Sequence, residues 1–465
     1  MFKRSWLSLF VLTNVLSFAV GHPTHPLLGE PEHLEARAKP LLPSEDPWYQ
    51  APENLSAYAP GDVIRSRKPP HVLAVYNAPI RLAASYQLLY RTNDAFDNPI
   101  ATATTVMIPH GADFSKFLSY QVEIDAVYDG CFPSYTYQQG AQNVKDISSR
   151  YSQIFFLSIL EKGWPVVVPD FEGPDGAWVV GKIEGQGVLD GLRAARRSTG
   201  VTGIESDAVP FVWGYSGGAH AAIWALELQP TYAPELDIGA AAMGGLAINI
   251  RNVIDKTTSQ VAAGVAVTGI LGVAQGYPEV QKLVDDQLIE SKRDEFLKAK
   301  SACIVPNAVS FAYKDIYGYF KDGKEIFEGE NVSKILDSLN AGTGSIYKGP
   351  TYIYHSVNDE VVPVQDVDKV YDRYCAAGAN VEYVRDTVGE HITVAVTGGP
   401  GALQFMTDRM SGRSFRPGCT KETAALSLLN PKNWPSLIMY PLTLIKAILG
   451  GSIGIESWVK NGGAP

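Results

Sequence analysis

Short apolar runs dense in β-branched and aromatic residues begin at about residue 71. Residues 72–76, 83–90, 100–108 and 117–124 are such runs, set apart by Asn, Asp and Pro, and they predict strands. Further on, apolar positions at helical spacing alternate with brief, uniformly apolar runs. This predicts helices over 154–160, 188–197 and 219–228, with buried strands over 165–168 and 209–213 between them. Antiparallel strands followed by strand–helix alternation predict an α/β protein with a mostly parallel central sheet. The rhythm breaks over residues 246–347, which are helix-rich and hold no strong strand. Residues 279–300 are the clearest helix there, and 261–274 form an apolar stretch in which Gly264, Gly269 and Gly272 offer bends. Such a segment reads as an inserted helical cap, or lid. Sheet signals return at 351–354 and 381–385, on either side of a helix over 365–377. The chain therefore divides into a first core part, 48–245, the cap, 246–347, a second core part, 348–420, and a C-terminal tail, 421–465, that is a candidate flap.

The N-terminus sets the compartment. Lys3 and Arg4 precede the apolar residues 6–20 and the small-residue triplet Ala19-Val20-Gly21, so residues 1–21 read as a secretory signal peptide. Residues 22–47, rich in proline and poor in periodicity, read as a leader or propeptide. Cleavage after Gly21 leaves 37 Lys+Arg against 49 Asp+Glu, a balance of −12 instead of −10. That acidity, without basic blocks, excludes nucleic-acid binding. An oxidising lumen makes two disulfides from Cys131, Cys303, Cys375 and Cys419, with all three pairings open. Asn54 and Asn331 stand in glycosylation sequons. Neither CxxC nor HExxH occurs, so no metal and no cofactor is expected. The apolar stretches 261–274 and 437–449 are too short for a stable membrane span.

The strongest chemical signal is Gly214-Tyr215-Ser216-Gly217-Gly218, lying between a strand and an apolar helix. That is the setting of a nucleophile elbow, whose tight turn lifts the serine hydroxyl into a site. Serine needs a base to take its proton, and the base needs an orienting carboxylate. Three histidines follow Ser216 in the chain. His220 is fixed to the elbow helix and His355 precedes any good acid, which leaves His391, in the loop after the strand at 381–385. The acid belongs just past the strand at 351–354, where Asp359 and Glu360 compete; Asp359, with the shorter side chain, is preferred. Gly176 to Lys182 imitates a phosphate loop, but Ile183 stands where Ser or Thr must hold magnesium. Gly185, Gly187 and Gly191 miss dinucleotide spacing and read as loop.

At these residues the chain resembles the fungal secretory lipase family, of the Candida antarctica lipase A type. The likeness runs from about Asp46 and rests on Asp46-Pro-Trp-Tyr49, Pro60-Gly-Asp-Val-Ile-Arg65, Pro169-Asp-Phe-Glu-Gly173 and the elbow with Tyr232-Ala-Pro-Glu-Leu236. It continues through Asp359-Glu-Val-Val-Pro363, Cys375-Ala-Ala-Gly-Ala-Asn380 and Glu390-His391. The resemblance implies an α/β-hydrolase fold with a helical cap and a Ser216–Asp359–His391 triad. It also implies an oxyanion hole from the backbone N–H of Gly217 and from Asp125, with Asp129 close by, and the pairs Cys131–Cys303 and Cys375–Cys419. The function expected is a secreted carboxylic-ester hydrolase, foremost a triacylglycerol lipase. Rivals are an esterase or deacetylase of acylated secondary metabolites, an acyltransferase and an inactive binding protein. The expected partner is a lipid or other ester substrate, with transient contact at a lipid interface. The chain is expected to act as a monomer.

Overall fold

The computed structural model describes residues 39–141 and 147–455. The expected signal peptide and most of the leader lie outside the described residues. From Pro40 onward the chain forms one compact unit. Residues just before 48 belong to it, because Asp46 pairs with Arg67 at 2.7 Å and Ser44 N–H donates to Asp129. The last residues of the expected leader thus pack on the folded body.

Ten strands form one sheet. In chain order they are β1 (Val63–Arg67), β4 (Ala84–Asn93), β5 (Pro99–Ile108), β6 (Lys116–Gln121), β7 (Val166–Pro169), β8 (Val209–Tyr215), β9 (Ala241–Gly244), β10 (Pro350–Ser356), β11 (Asn380–Asp386) and β12 (Cys419–Ala424); the hairpin β2 (Ala74–Val75) and β3 (Ala78–Pro79) stands apart. The order β1-β4-β5-β7-β6-β8-β9-β10-β11-β12 is antiparallel as far as β7 and parallel from there. The four residues of β7 and the four of β9 are all buried, as central parallel strands covered on both faces should be. Chain order reverses at β7-β6-β8, the kind of switch point where loops leaving the carboxyl ends of strands part and open a crevice.

The helices α1 (Ile147–Glu161), α2 (Gly181–Arg197), α3 (Gly217–Tyr232), α10 (Val364–Ala376) and α11 (His391–Met410) belong to the core. Gly185, Gly187 and Gly191 lie inside α2, not in a loop. Their lack of a side chain serves close packing: a Cβ at Gly185 would meet the Trp224 backbone at 2.8 Å, and one at Gly187 would meet Phe171 O at 2.7 Å. Between β9 and β10 come α4 (Ile250–Thr257), α5 (Ala263–Gly276), α6 (Pro278–Gln287), α7 (Glu290–Leu297), α8 (Ile304–Phe311) and α9 (Glu330–Ser338), and no strand. These helices share a hydrophobic cluster of their own, which Trp178 and Val179 enter from the core. Two expectations change here. The helix over 279–300 breaks at Leu288, which bridges to Phe320 while Ile289 N–H donates to Tyr319 O at 2.9 Å. The glycine-bearing stretch is the unbroken α5, whose Gly264 fits against the Asn307 backbone and whose Gly272 fits against Trp178 O.

The core also extends past residue 420, because β12 runs to Ala424 along β11. Beyond it, α12 (Trp434–Ile448) packs Tyr440 on Phe155 of α1, and the following residues bridge to Arg81 and His110. Cys131–Cys303 and Cys375–Cys419 are bonded, the first joining core to cap and the second joining α10 to β12. Among the described residues no helix is long and apolar enough to cross a membrane.

Candidate active site

Ser216 sits between β8 and α3 with φ +52°, a conformation that L residues avoid and that neighbours must enforce. The glycines around it make the turn possible. A Cβ on Gly218 would fall 2.0 Å from Gln121 O, and one on Gly214 would fall 2.2 Å from Gly218 O. Ser216 N–H is held by Gly244 O at 2.9 Å, which ties the elbow to β9.

His391 is the first residue of α11, not a loop residue, and its ring bridges two partners. Its Nε2 lies 2.8 Å from Ser216 Oγ and its Nδ1 lies 2.7 Å from Asp359 Oδ2. A carboxylate on Nδ1 requires the proton there, which leaves the Nε2 lone pair facing the serine hydroxyl. Asp359 is 2% exposed, and its Oδ1 accepts the backbone N–H groups of Val361 at 2.9 Å and Val362 at 2.7 Å. Burial would raise the Asp359 pKa, but His391 and His355 outweigh it and hold the carboxyl at about 2. Burial would likewise lower His391; the charge and hydrogen bond of Asp359 overcome that and raise it to about 9. Glu360 makes a different contact, its carboxylate accepting the backbone N–H of His391 at 2.6 Å. Asp359 thus meets the ring, while Glu360 anchors the start of α11.

Gly217 is the first residue of α3, where helical N–H groups have no partner within the helix and the dipole is positive. Asp125 has φ +51° and is buried beside it, for a Cβ on Gly217 would meet Asp125 Oδ1 at 1.9 Å. The backbone N–H of Asp125 is committed to Glu172 Oε1 at 3.1 Å. Asp129 lies elsewhere, bound to Ser44 N–H. Asn54 and Asn331 are exposed at the surface.

Three neighbours of the elbow went unread in the sequence. Glu172 holds Asp125, and burial followed by the charges of Glu184 and Asp125 pushes its pKa well up. Glu184 contacts His220 Nδ1 at 2.6 Å and accepts Val179 N–H at 2.7 Å. Trp178 places its indole Nε1 2.9 Å from the Gly217 Cβ position. Glu172 lies within the Pro-Asp-Phe-Glu-Gly run and was visible as a motif; Glu184 and Trp178 carried no local signal. His355 Nε2 lies 3.5 Å from Asp359 Oδ2, and burial lowers its pKa.

A serine–histidine–carboxylate relay at the carboxyl ends of a mostly parallel sheet, beneath a helical cap, defines an α/β-hydrolase, and the chain is a serine ester hydrolase. More narrowly, it belongs to the secretory lipase family, whose model matches residues 138–418. It is 39% identical over 402 residues to Lipase A of Arthroderma benhamiae, covering 85% of this chain and 86% of that protein. It is 35% identical over 428 residues to Lipase 4 of Candida albicans, covering 89% and 92%. In three dimensions it is similar to Candida antarctica lipase A in its closed state, with a TM-score of 0.78 at 27% identity over 90% of this chain and 99% of that one.

Proposed function

We propose that this protein is a secreted triacylglycerol lipase that works through an acyl-enzyme on Ser216. The catalytic part of that reading rests on the Ser216–His391–Asp359 relay. Ser216 Oγ attacks the ester carbonyl carbon as His391 Nε2 takes the hydroxyl proton, and the carbonyl π pair moves to oxygen. Collapse of the tetrahedral intermediate breaks the bond to the alkoxide, which takes the proton from His391 and leaves as the alcohol. Water then repeats the sequence on the acyl-enzyme and frees the carboxylic acid. Asp359 holds the imidazolium in place throughout. The Gly217 N–H faces the oxyanion, and such a donor is worth about 3–4 kcal/mol at most. The Asp125 backbone N–H is already taken, so Asp125 contributes through its side chain, which donates only when protonated. Export is supported by the secretory character of the family and by two disulfides, and the exposed Asn54 and Asn331 suit glycosylation.

The choice of lipid over a small soluble ester is carried by α12. That helix is inside out. It buries Ser436, Tyr440, Thr443 and Ala447 and exposes Trp434, Ile438, Leu442, Ile445 and Ile448, with Leu449 exposed just past its end. A wide apolar face that no described residue covers suits a lipid interface. The deciding assay compares emulsified long-chain triacylglycerol with a chain-length series of p-nitrophenyl esters, with and without an acceptor alcohol. A lipase hydrolyses the emulsion and prefers medium or long chains. Activity confined to acetyl esters would instead indicate a metabolite esterase, and ester formation on the alcohol would indicate an acyltransferase. Ser216→Ala should abolish every one of these activities in a folded protein, a loss on the order of 10⁶ in kcat.

A further inference from the structure

We propose that the indole N–H of Trp178 is a further donor to the substrate's carbonyl oxygen, held in place by cap helix α5. The inference rests on the Ser216 reading above. Trp178 is 4% exposed, and its Nε1 has no hydrogen-bond partner among the described residues. A buried indole N–H usually finds one, because a donor taken out of water without an acceptor is costly. Its position suggests the missing acceptor. Nε1 lies 2.9 Å from the Cβ position of Gly217, the residue to which the reading above gives the oxyanion-binding N–H. The indole nitrogen therefore stands beside the residue that follows Ser216. The indole is neutral and donates at any working pH, whereas Asp125 at the same spot donates only when protonated.

The placement is enforced from two sides. Next in the chain, Val179 stands at φ +60°, a strained state for a β-branched residue, and its N–H is fixed by Glu184 Oε1 at 2.7 Å. From above, α5 lies on the indole. Gly272 leaves room for the Trp178 backbone, since a Cβ there would fall 2.4 Å from Trp178 O, and a Cβ on Gly269 would fall 3.5 Å from the ring. The donor is thus set by the cap as well as by the core, and capture of the carbonyl depends on the cap lying against Trp178.

Trp178→Phe keeps the aromatic packing and removes the N–H. With p-nitrophenyl butyrate, kcat should fall by about 10- to 100-fold while KM and Tm stay near wild type. Replacement of Trp178 by 3-benzothienylalanine, which puts sulfur in place of N–H at nearly constant shape, should give the same loss and covers the case of a poorly folded phenylalanine variant. Gly272→Ala, which displaces Trp178, should lower kcat in its own right but add little to Trp178→Phe. A kcat within about twofold of wild type for the folded variants would overturn the proposal, and so would a rise in KM alone. Ser216→Ala separates the two readings. If it is inactive while Trp178→Phe is fully active, only the Trp178 inference fails; if it stays active, the Ser216 reading fails first.

Discussion

Asp359→Asn should disable the enzyme by turning one proton the wrong way. In the native protein Asp359 Oδ1 accepts two backbone N–H groups, from Val361 at 2.9 Å and Val362 at 2.7 Å, and Oδ2 faces His391 Nδ1 at 2.7 Å. An asparagine must keep its oxygen toward the two N–H donors, because its NH₂ group would clash with both. The NH₂ is then forced toward Nδ1, which must present a lone pair. The imidazole proton moves to Nε2 and points at Ser216 Oγ, 2.8 Å away, where a base is required. A tautomer held wrong in this way lowers kcat by about 10⁴, or about 5.5 kcal/mol at 1.36 kcal/mol per tenfold. Glu360→Gln retains an oxygen for His391 N–H and should lower kcat by less than about tenfold. Rates on p-nitrophenyl butyrate, with melting curves to confirm folding, decide the matter. Equal losses in the two variants, or a larger loss at Glu360, would refute the assignment.

Other outcomes follow from the same geometry. The base works only when neutral and His391 is raised to about 9, so kcat/KM should climb as pH rises through that value; Glu360→Gln, which removes a charge that raises it, should shift the midpoint of the rate profile to lower pH. Cys375→Ser with Cys419→Ser opens a loop of sequence separation 44, for which chain entropy gives a loss of up to about 4 kcal/mol, measurable by urea unfolding. Ile438→Gln with Leu442→Gln should reduce hydrolysis of emulsified triacylglycerol while leaving p-nitrophenyl butyrate turnover unchanged; equal loss on both substrates would exclude α12 as a lipid-facing surface.

Much of this was legible in the sequence because the elbow is a local device: a short strand, two obligatory glycines and a helix lie within a few residues of Ser216. Elements that depend on distant partners were harder to read. The helix α11 was missed because Gly398, Gly399, Pro400 and Gly401 interrupt it, and only the packing explains them. A Cβ at Gly398 would meet Tyr354 at 2.5 Å, and one at Gly399 would meet Phe155 at 2.4 Å. The edge strand β12 is exposed along most of its length and carries no apolar alternation. The glycines of α2 and α5 looked like points of flexibility because glycine allows both free turning and close contact. Their partners elsewhere in the chain, Phe171, Trp224, Trp178 and Asn307, reveal which use applies here. Choosing between Asp359 and Glu360 from side-chain length pointed to Asp359, yet the separate contact of Glu360 with the α11 backbone could not be foreseen.

The bond between Cys131 and Cys303 acts as a tether. Cys131 closes the turn Asp129–Cys131, in the loop that also carries Asp125, and Cys303 stands at the N-terminal end of α8 in the cap. The cap is thereby tied to the core at three covalent points, its two chain connections to β9 and β10 and this bond. The third tie falls beside Asp125, so the loop that carries Asp125 stays tethered to α8 in every arrangement of the cap.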